Sequence, residues 1–304
     1  MAISASEDPK KTAKMTLHFV TGKGGVGKSA VAAALALRLA NSGKKCLLVE
    51  LGNQSFYKDY FNLPSLTYNS VNLRPNLDVA MWSGPECLKE YARHLLKIES
   101  LYQLFFENPV SKALLNIAPA LPELAILGKI TSGPPRNVGP AMPYDCIVVD
   151  AYATGHFLAL MRAPSGMSQA VKFGPMGEQS RAIHRVISNP EFIKYYVVST
   201  PEEMPISEAL ELSQSLESQV GLRPIQILNR VLPAMTHGQN NSENAEFKKA
   251  MELHQANVET ARKRFADFQS WELPFVLKNK AWSIVDALSE SLPNENVPRG
   301  SDAG

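Results

Sequence analysis

The sequence predicts an α/β fold: a doubly wound, mostly parallel sheet with helices on both faces and a helical insertion to one side. Three observations carry that expectation. Short apolar runs of strand length alternate with helix-length stretches between Met15 and Leu292. Two of those runs end in an acid, Glu50 and Asp150. A glycine-rich turn, T-G-K-G-G-V-G-K-S at residues 21–29, joins the first run to the first helix.

Residues 15–20 (M-T-L-H-F-V) read as a short buried strand. The turn after it fills the phosphate-loop pattern with Gly22, Gly27, Lys28 and Ser29, which makes the expected sheet one of the P-loop NTPase type. The glycines let backbone N–H groups turn inward around an anion, Lys28 reaches the outer phosphates, and the Ser29 hydroxyl is a ligand for Mg²⁺. Gly22, Lys23, Gly24, Gly25, Val26, Gly27, Lys28, Ser29 and Ala30 are therefore the expected nucleotide-binding stretch. Residues 30–41 form an Ala/Leu-rich helix stopped by Gly43, with its positive end at the phosphates.

Residues 45–50 (K-C-L-L-V-E) read as a second buried strand closed by Glu50, with a polar turn at 52–55. A carboxylate there is well placed, because ligands of open α/β sheets sit beyond the carboxyl ends of the strands. A further strand is expected at 76–82. Residues 85–127 read as helical and outside the sheet, with Leu88, Tyr91, Leu95 and Ile98 on one side, followed by Tyr102, Leu104, Phe105 and Phe106. Plain packing onto the sheet is favoured for this segment over a partner surface. Residues 132–143 are rich in Pro and Gly and are expected to form a mobile loop.

Residues 144–150 (Y-D-C-I-V-V-D) are the clearest core strand, and Asp150 has the character of the acid that holds Mg²⁺ directly or through water. Thr154 and Gly155 follow, with backbone N–H groups suited to a terminal phosphate, and a helix is expected soon after. Residues 165–194 read as irregular or helical, 195–200 as a strand and 206–220 as a helix. Residues 224–230 form another strand that presents Asn229, which either reads an adenine edge with its donor and acceptor or caps a turn. A polar, mobile stretch at 235–242 precedes a helix from 243 to about 268. Its apolar stripe is Phe247, Met251, His254, Val258, Ala261 and Phe265, which makes His254 a core residue. A last strand at 273–277 and a last helix at 281–292 complete the chain.

At 304 residues the chain is long enough to bury a full α/β core. A formal charge of +2 gives no electrostatic case for nucleic acid or an anionic membrane surface. Cys46, Cys87 and Cys146 are far apart and form no C-x-x-C, so neither a zinc clip nor a disulfide frame is indicated. With no apolar signal core and no run of transmembrane length, a cytoplasmic protein without a stable membrane anchor is expected. The expected organisation is a mobile arm at 1–14, one domain at 15–292 with its helical insertion at about 85–130, and a tail at 293–304. In that tail V-P-R-G-S resembles the remnant of a cleavable tag.

Lys23, directly after the first loop glycine, marks a deviant loop. It resembles the branch that holds the ParA/MinD ATPases, the nitrogenase iron protein and the ArsA-type ATPases. Four stretches together resemble the ArsA type in its single-domain bacterial form: G-K-G-G-V-G-K-S at Gly22, V-V-D-A-Y-A-T-G-H at Val148, S-T-P-E-E-M-P-I-S-E-A-L at Ser199 and I-L-N-R-V-L-P at Ile227. The resemblance implies an Mg-dependent ATPase that works as a nucleotide-sandwich dimer, either with itself or with a related subunit, on an unidentified protein client. It makes Lys28 and Lys23 phosphate ligands, Lys23 acting across the dimer interface. It also makes Ser29 the Mg²⁺ ligand, Asp150 the switch II acid and Asn229 the adenine reader. The family's D-P-A-H stretch, whose aspartate orients the attacking water, is Glu50-Leu51-Gly52-Asn53 here. A glutamate reaches further, so hydrolysis is expected to be slow or differently triggered, and a nucleotide-gated module with little turnover is the alternative. Arsenite activation is disfavoured by the scattered cysteines. Tail-anchored-protein delivery is disfavoured by the short, charged segment after switch II and the missing C-x-x-C.

Overall fold

The computed structural model describes residues 15–96, 120–133, 135–136, 139–173, 175–233 and 245–293. The expected N-terminal arm, the centre of the insertion with Ile98, Tyr102, Leu104, Phe105 and Phe106, the polar stretch at 235–242 and the tail beyond 293 lie outside those residues.

The strands are β1 (Thr16–Gly22), β2 (Cys46–Leu51), β3 (Val71–Arg74), β4 (Leu77–Trp82), β5 (Cys146–Ala153), β6 (Ile193–Ser199), β7 (Ile225–Val231) and β8 (Ser270–Pro274). They form one sheet in the order β3-β4-β2-β5-β1-β6-β7-β8, with only β3 and β4 antiparallel. The chain winds away from β1 in both directions, first past β5 to β2 and later across β1 from β5 to β6. That reversal opens a crevice at the carboxyl ends of β1 and β5, where α/β sheets bind ligands.

The helices are α1 (Lys28–Asn41), α2 (Phe56–Tyr60), α3 (Gly84–Leu96), α4 (Leu121–Ile130), α5 (Thr154–Ala170), α6 (Pro175–Ile187), α7 (Glu203–Val220), α8 (Ala245–Arg264) and α9 (Ala281–Ser291). Every residue of β2 is buried, as expected of a parallel strand covered on both faces. Alternate residues feed two cores. Phe19, Val49, Val149 and Val197 meet Leu124 of α4, Phe157 of α5 and Leu216 of α7. Val20, Leu48, Val148 and Val198 meet Val31 and Ala36 of α1 and Val285 of α9. The small side chains of Ala32, Ala33, Ala34 and Ala36 let α1 lie close against the sheet directly behind the loop. Among the described residues no helix is long and apolar enough to cross a membrane.

The doubly wound sheet matches the expectation, and several elements differ in detail. β3 and α2 were not expected. β3 pairs back on β4 through a turn in which Asn76 takes a φ of 60°. The last strand is Ser270–Pro274 rather than 273–277, because Trp271 and Leu273 are its buried residues and Leu277 is 85% exposed. The 165–194 segment resolves into the end of α5, the helix α6 and the start of β6.

Cys46 and Cys146, far apart in sequence, are register partners on β2 and β5, both buried and both free thiols. His254 is a clamp rather than a core residue. It is only partly buried, and its Nε2 accepts the Leu232 backbone N–H at 3.0 Å. Phe247, at the start of the same stripe, is 54% exposed. At the described end of the insertion, Leu88 and Tyr91 pack onto the core, in keeping with the packing reading.

Candidate functional site

β1 ends in the glycine loop, and two of its glycines are required by close approach. At Gly22 a Cβ would lie 2.2 Å from the Val198 carbonyl oxygen on β6, and at Gly27, with φ 91°, it would lie 2.6 Å from Asn229 Nδ2. Gly27 is also the N-cap of α1. That helix has no side-chain cap and no acid in its first turn, so its leading N–H groups are left open to an anion. Lys28 Nζ folds over the loop and donates to the Lys23 carbonyl oxygen at 2.9 Å. Burial lowers its pKa, opposed by the charge of Asp150.

Asp150 lies beside Val20 of β1 and Glu50 of β2 in the sheet register. It is buried, and desolvation pushes its pKa up to about 6 against the pull of Ser29, Lys28 and Tyr57. The Ser29 hydroxyl lies beside its carboxylate and favours the charged form. Tyr57 comes from α2, donates its hydroxyl to the Ser29 carbonyl oxygen at 2.8 Å and lies beside Asp150. Sequence reasoning missed this tyrosine. Its one signal is Ser55, which caps α2 by accepting the Lys58 N–H at 3.0 Å.

Glu50 points into the same turn. Its carboxylate accepts the Ser55 hydroxyl at 2.6 Å, the Phe56 N–H at 2.5 Å and the Tyr57 N–H at 3.4 Å. The acid near the end of β2 is therefore the anchor of α2, and α2 carries Tyr57 to Ser29 and Asp150.

Thr154 and Gly155 open α5, which also lacks a side-chain cap and a first-turn acid. The Thr154 Oγ1 is buried without a hydrogen-bond partner, an arrangement that invites a ligand oxygen. Thr21 Oγ1 donates to the Tyr152 carbonyl at 2.9 Å and ties the loop strand to this segment. Asn229 sits under the loop. Its amide donates to the Val26 carbonyl at 2.9 Å and its side-chain oxygen accepts the Arg230 N–H at 2.9 Å. It thus braces an irregularity near the end of β7, where the register against β8 shifts and Arg230 takes a φ of 61°, and it keeps one N–H in reserve. Beside it Gly27, Ala30, Tyr60, Arg230 and Phe275 line a cavity of about 270 Å³ that continues from the loop.

Lys28, Ser29, Glu50, Asp150, Thr154 and Gly155 are thus gathered at the strand ends, with Asn229 braced against the loop. Lys23 alone turns elsewhere. Its ammonium pairs with Glu208 of α7 in the same chain, both side chains about one third exposed. Glu208 lies in the S-T-P-E-E-M-P-I-S-E-A-L stretch, but nothing in the sequence singled it out as a partner of Lys23.

Among the described residues no group of three or more His, Cys, Asp or Glu converges. Mg²⁺ bound with phosphates takes few protein ligands, so the Ser29–Asp150 pair fits it. The two uncapped helix ends, the orphan Thr154 hydroxyl and the partly buried Lys28 fit the phosphates.

A family model described as "Anion-transporting ATPase" matches residues 15–179 and 173–282. The chain is 31% identical over 268 residues to the ATPase BagA of Mycobacterium tuberculosis, covering 85% of this chain and 78% of that protein. It is 26% identical over 294 residues to a putative arsenical pump-driving ATPase of Aquifex aeolicus, covering 86% and 93%. An arsenical pump-driving ATPase of Escherichia coli is 27% identical over 233 residues, which is 71% of this chain and 39% of that protein.

Proposed function

The chain belongs to the ArsA-type family of anion-transporting ATPases, and on that premise we propose that it is an Mg-dependent ATP hydrolase that switches a nucleotide-sandwich dimer between two conformations. The observation that carries this reading is the meeting of Lys28, Ser29, Asp150 and the open N-termini of α1 and α5 at one end of the sheet. Lys28 and the loop N–H groups hold the outer phosphates. Ser29 and Asp150 hold Mg²⁺, and Thr154 and Gly155 meet the terminal phosphate. The ion, when bound, supplies neutralisation of charge on the transferred phosphoryl group. Asn229 braces the wall of the base cavity with one donor left for the adenine.

Lys23 belongs to the partner's nucleotide, which it reaches after leaving Glu208. The dimer pairs the chain with itself or with a related subunit, in the cytoplasm, and passes its motion to a protein client through the helical insertion. Glu50 orients the attacking water once it releases the first turn of α2.

A second reading is favoured by one observation: the Glu50 carboxylate is already engaged by Ser55, Phe56 and Tyr57. A chain that keeps this cap would bind nucleotide as an interaction module with little turnover.

The test is ATP binding and steady-state phosphate release. Lys28→Ala is expected to lose both, release falling by about two orders of magnitude or more. Normal binding and turnover in that variant would overturn the nucleotide site. Glu50→Gln separates the two readings, since it abolishes release in the enzyme and leaves the already low release of the module unchanged.

A further inference from the structure

Away from the nucleotide site, α3, α4, α6 and the turn after α4 enclose a cavity of about 360 Å³. Ala125, Gly128 and Pro140 make its wall apolar, and its charged lining is Lys129, Arg136 and the acid Glu90. Lys129 is already engaged. It donates to Glu90 at 2.6 Å and lies over the rings of Tyr68 and Trp82 at 4.3 and 4.8 Å.

Arg136 is not neutralised in this way. Its Nε donates to the Thr131 carbonyl at 3.0 Å and its Nη2 to the Gly128 carbonyl at 2.5 Å, both uncharged acceptors. Its Nη1 is buried without a hydrogen-bond partner, and so is the hydroxyl of Tyr91, another residue of the same wall. The two residues feel each other electrostatically, while burial pushes the Arg136 pKa down and the Tyr91 pKa up.

A partly buried guanidinium whose Nη1 is shut off from water, and whose other nitrogens meet only carbonyls, carries a desolvation cost that an anion offsets. Two orphan donors, one of them charged, match the two oxygens of a carboxylate. The apolar remainder of the wall asks for an apolar body. A cavity of about 150 Å³ holds benzene, so this one takes a single ring on a short chain, or an alkyl chain of roughly six to eight carbons.

We propose that this cavity binds a small apolar carboxylate, with Arg136 and Tyr91 on the acid group and Ala125, Gly128 and Pro140 against its body. The site stands apart from ATP binding, and its test reads binding rather than turnover.

The experiment is calorimetric titration of the full chain with sodium octanoate and sodium 3-phenylpropionate, with 1-octanol as the uncharged control. At least one carboxylate is expected to bind saturably with one site per chain, and octanol at least about tenfold more weakly. Arg136→Gln is expected to weaken the carboxylate by about tenfold or more. No saturable binding of either acid, octanol binding as well as the acids, or unchanged affinity in Arg136→Gln would each overturn the proposal. Arg136 also braces the end of α4, so Tyr91→Phe decides if Arg136→Gln does not fold, because it removes only a hydroxyl without a partner. A loss of about threefold or more supports the site, and wild-type affinity in that variant rejects it.

Discussion

Asp150 carries an electrostatic cost that the fold holds in place. Burial pushes its carboxyl up to about 6, well above its value in an unfolded chain, although Ser29, Lys28 and Tyr57 all act to lower it. Between roughly pH 4 and 6 the folded chain therefore binds a proton that the unfolded chain has released, so stability falls as pH rises through that window. Asp150→Asn removes the charge and keeps an acceptor oxygen. The metal-free variant is expected to be more stable than wild type above pH 6, by about 3 kcal/mol, with the difference closing towards pH 4. Urea unfolding in a chelator across that range measures it, and a variant that is less stable at pH 7 would refute the desolvation argument. Lys28, Ser29 and Asp150 were legible in the sequence because a phosphate loop and a strand ending in an acid are local patterns. Glu208 was not, since it lies 185 residues from Lys23 and only the fold brings them together.

At the scale of elements, α2 joins the second strand to Ser29 and Asp150. Glu50 and Ser55 hold its first turn, and Tyr57 carries the connection to Ser29 and Asp150. Ser55→Ala is expected to cost about 1 kcal/mol through loss of the cap. If one turn transmits both contacts, Glu50→Gln and Tyr57→Phe are coupled. The double variant should then differ from the sum of the single ones by about 0.5 kcal/mol or more. Denaturant unfolding of the four proteins decides this, and additive effects would show that Glu50 and Tyr57 act independently. Neither α2 nor β3 was legible in the sequence. Five residues make barely more than one helical turn, too few for a periodic stripe, and the four of β3 lie at a sheet edge where burial does not enforce alternation. β1, β2 and β5 were legible because two packed helical layers demand unbroken apolar runs, although β5 continues past its acid to Ala153.

For the molecule as a whole, alternation announced the parallel sheet but not its strand order, which depends on which helices cover which face. That order puts the phosphate loop at the reversal point and leaves Lys23 on the rim, beside α7. If Lys23 completes a partner's phosphate site, its pairing with Glu208 competes with dimerisation. Both side chains are about one third exposed, so the competition is worth no more than about 1 kcal/mol after solvent screening, a shift of up to roughly fivefold. Glu208→Gln is therefore expected to lower, by a few-fold, the concentration of a non-hydrolysable ATP analogue that gives half-maximal dimer. Lys23→Ala should abolish the dependence on nucleotide while leaving a folded monomer. Size-exclusion chromatography with light scattering reads both variants, and adding salt should shrink the Glu208→Gln shift, because partly exposed charges are screened. A Lys23→Ala chain that still dimerises with the analogue as wild type does would place the lysine outside the interface, and the competition with Glu208 would then have no bearing on assembly.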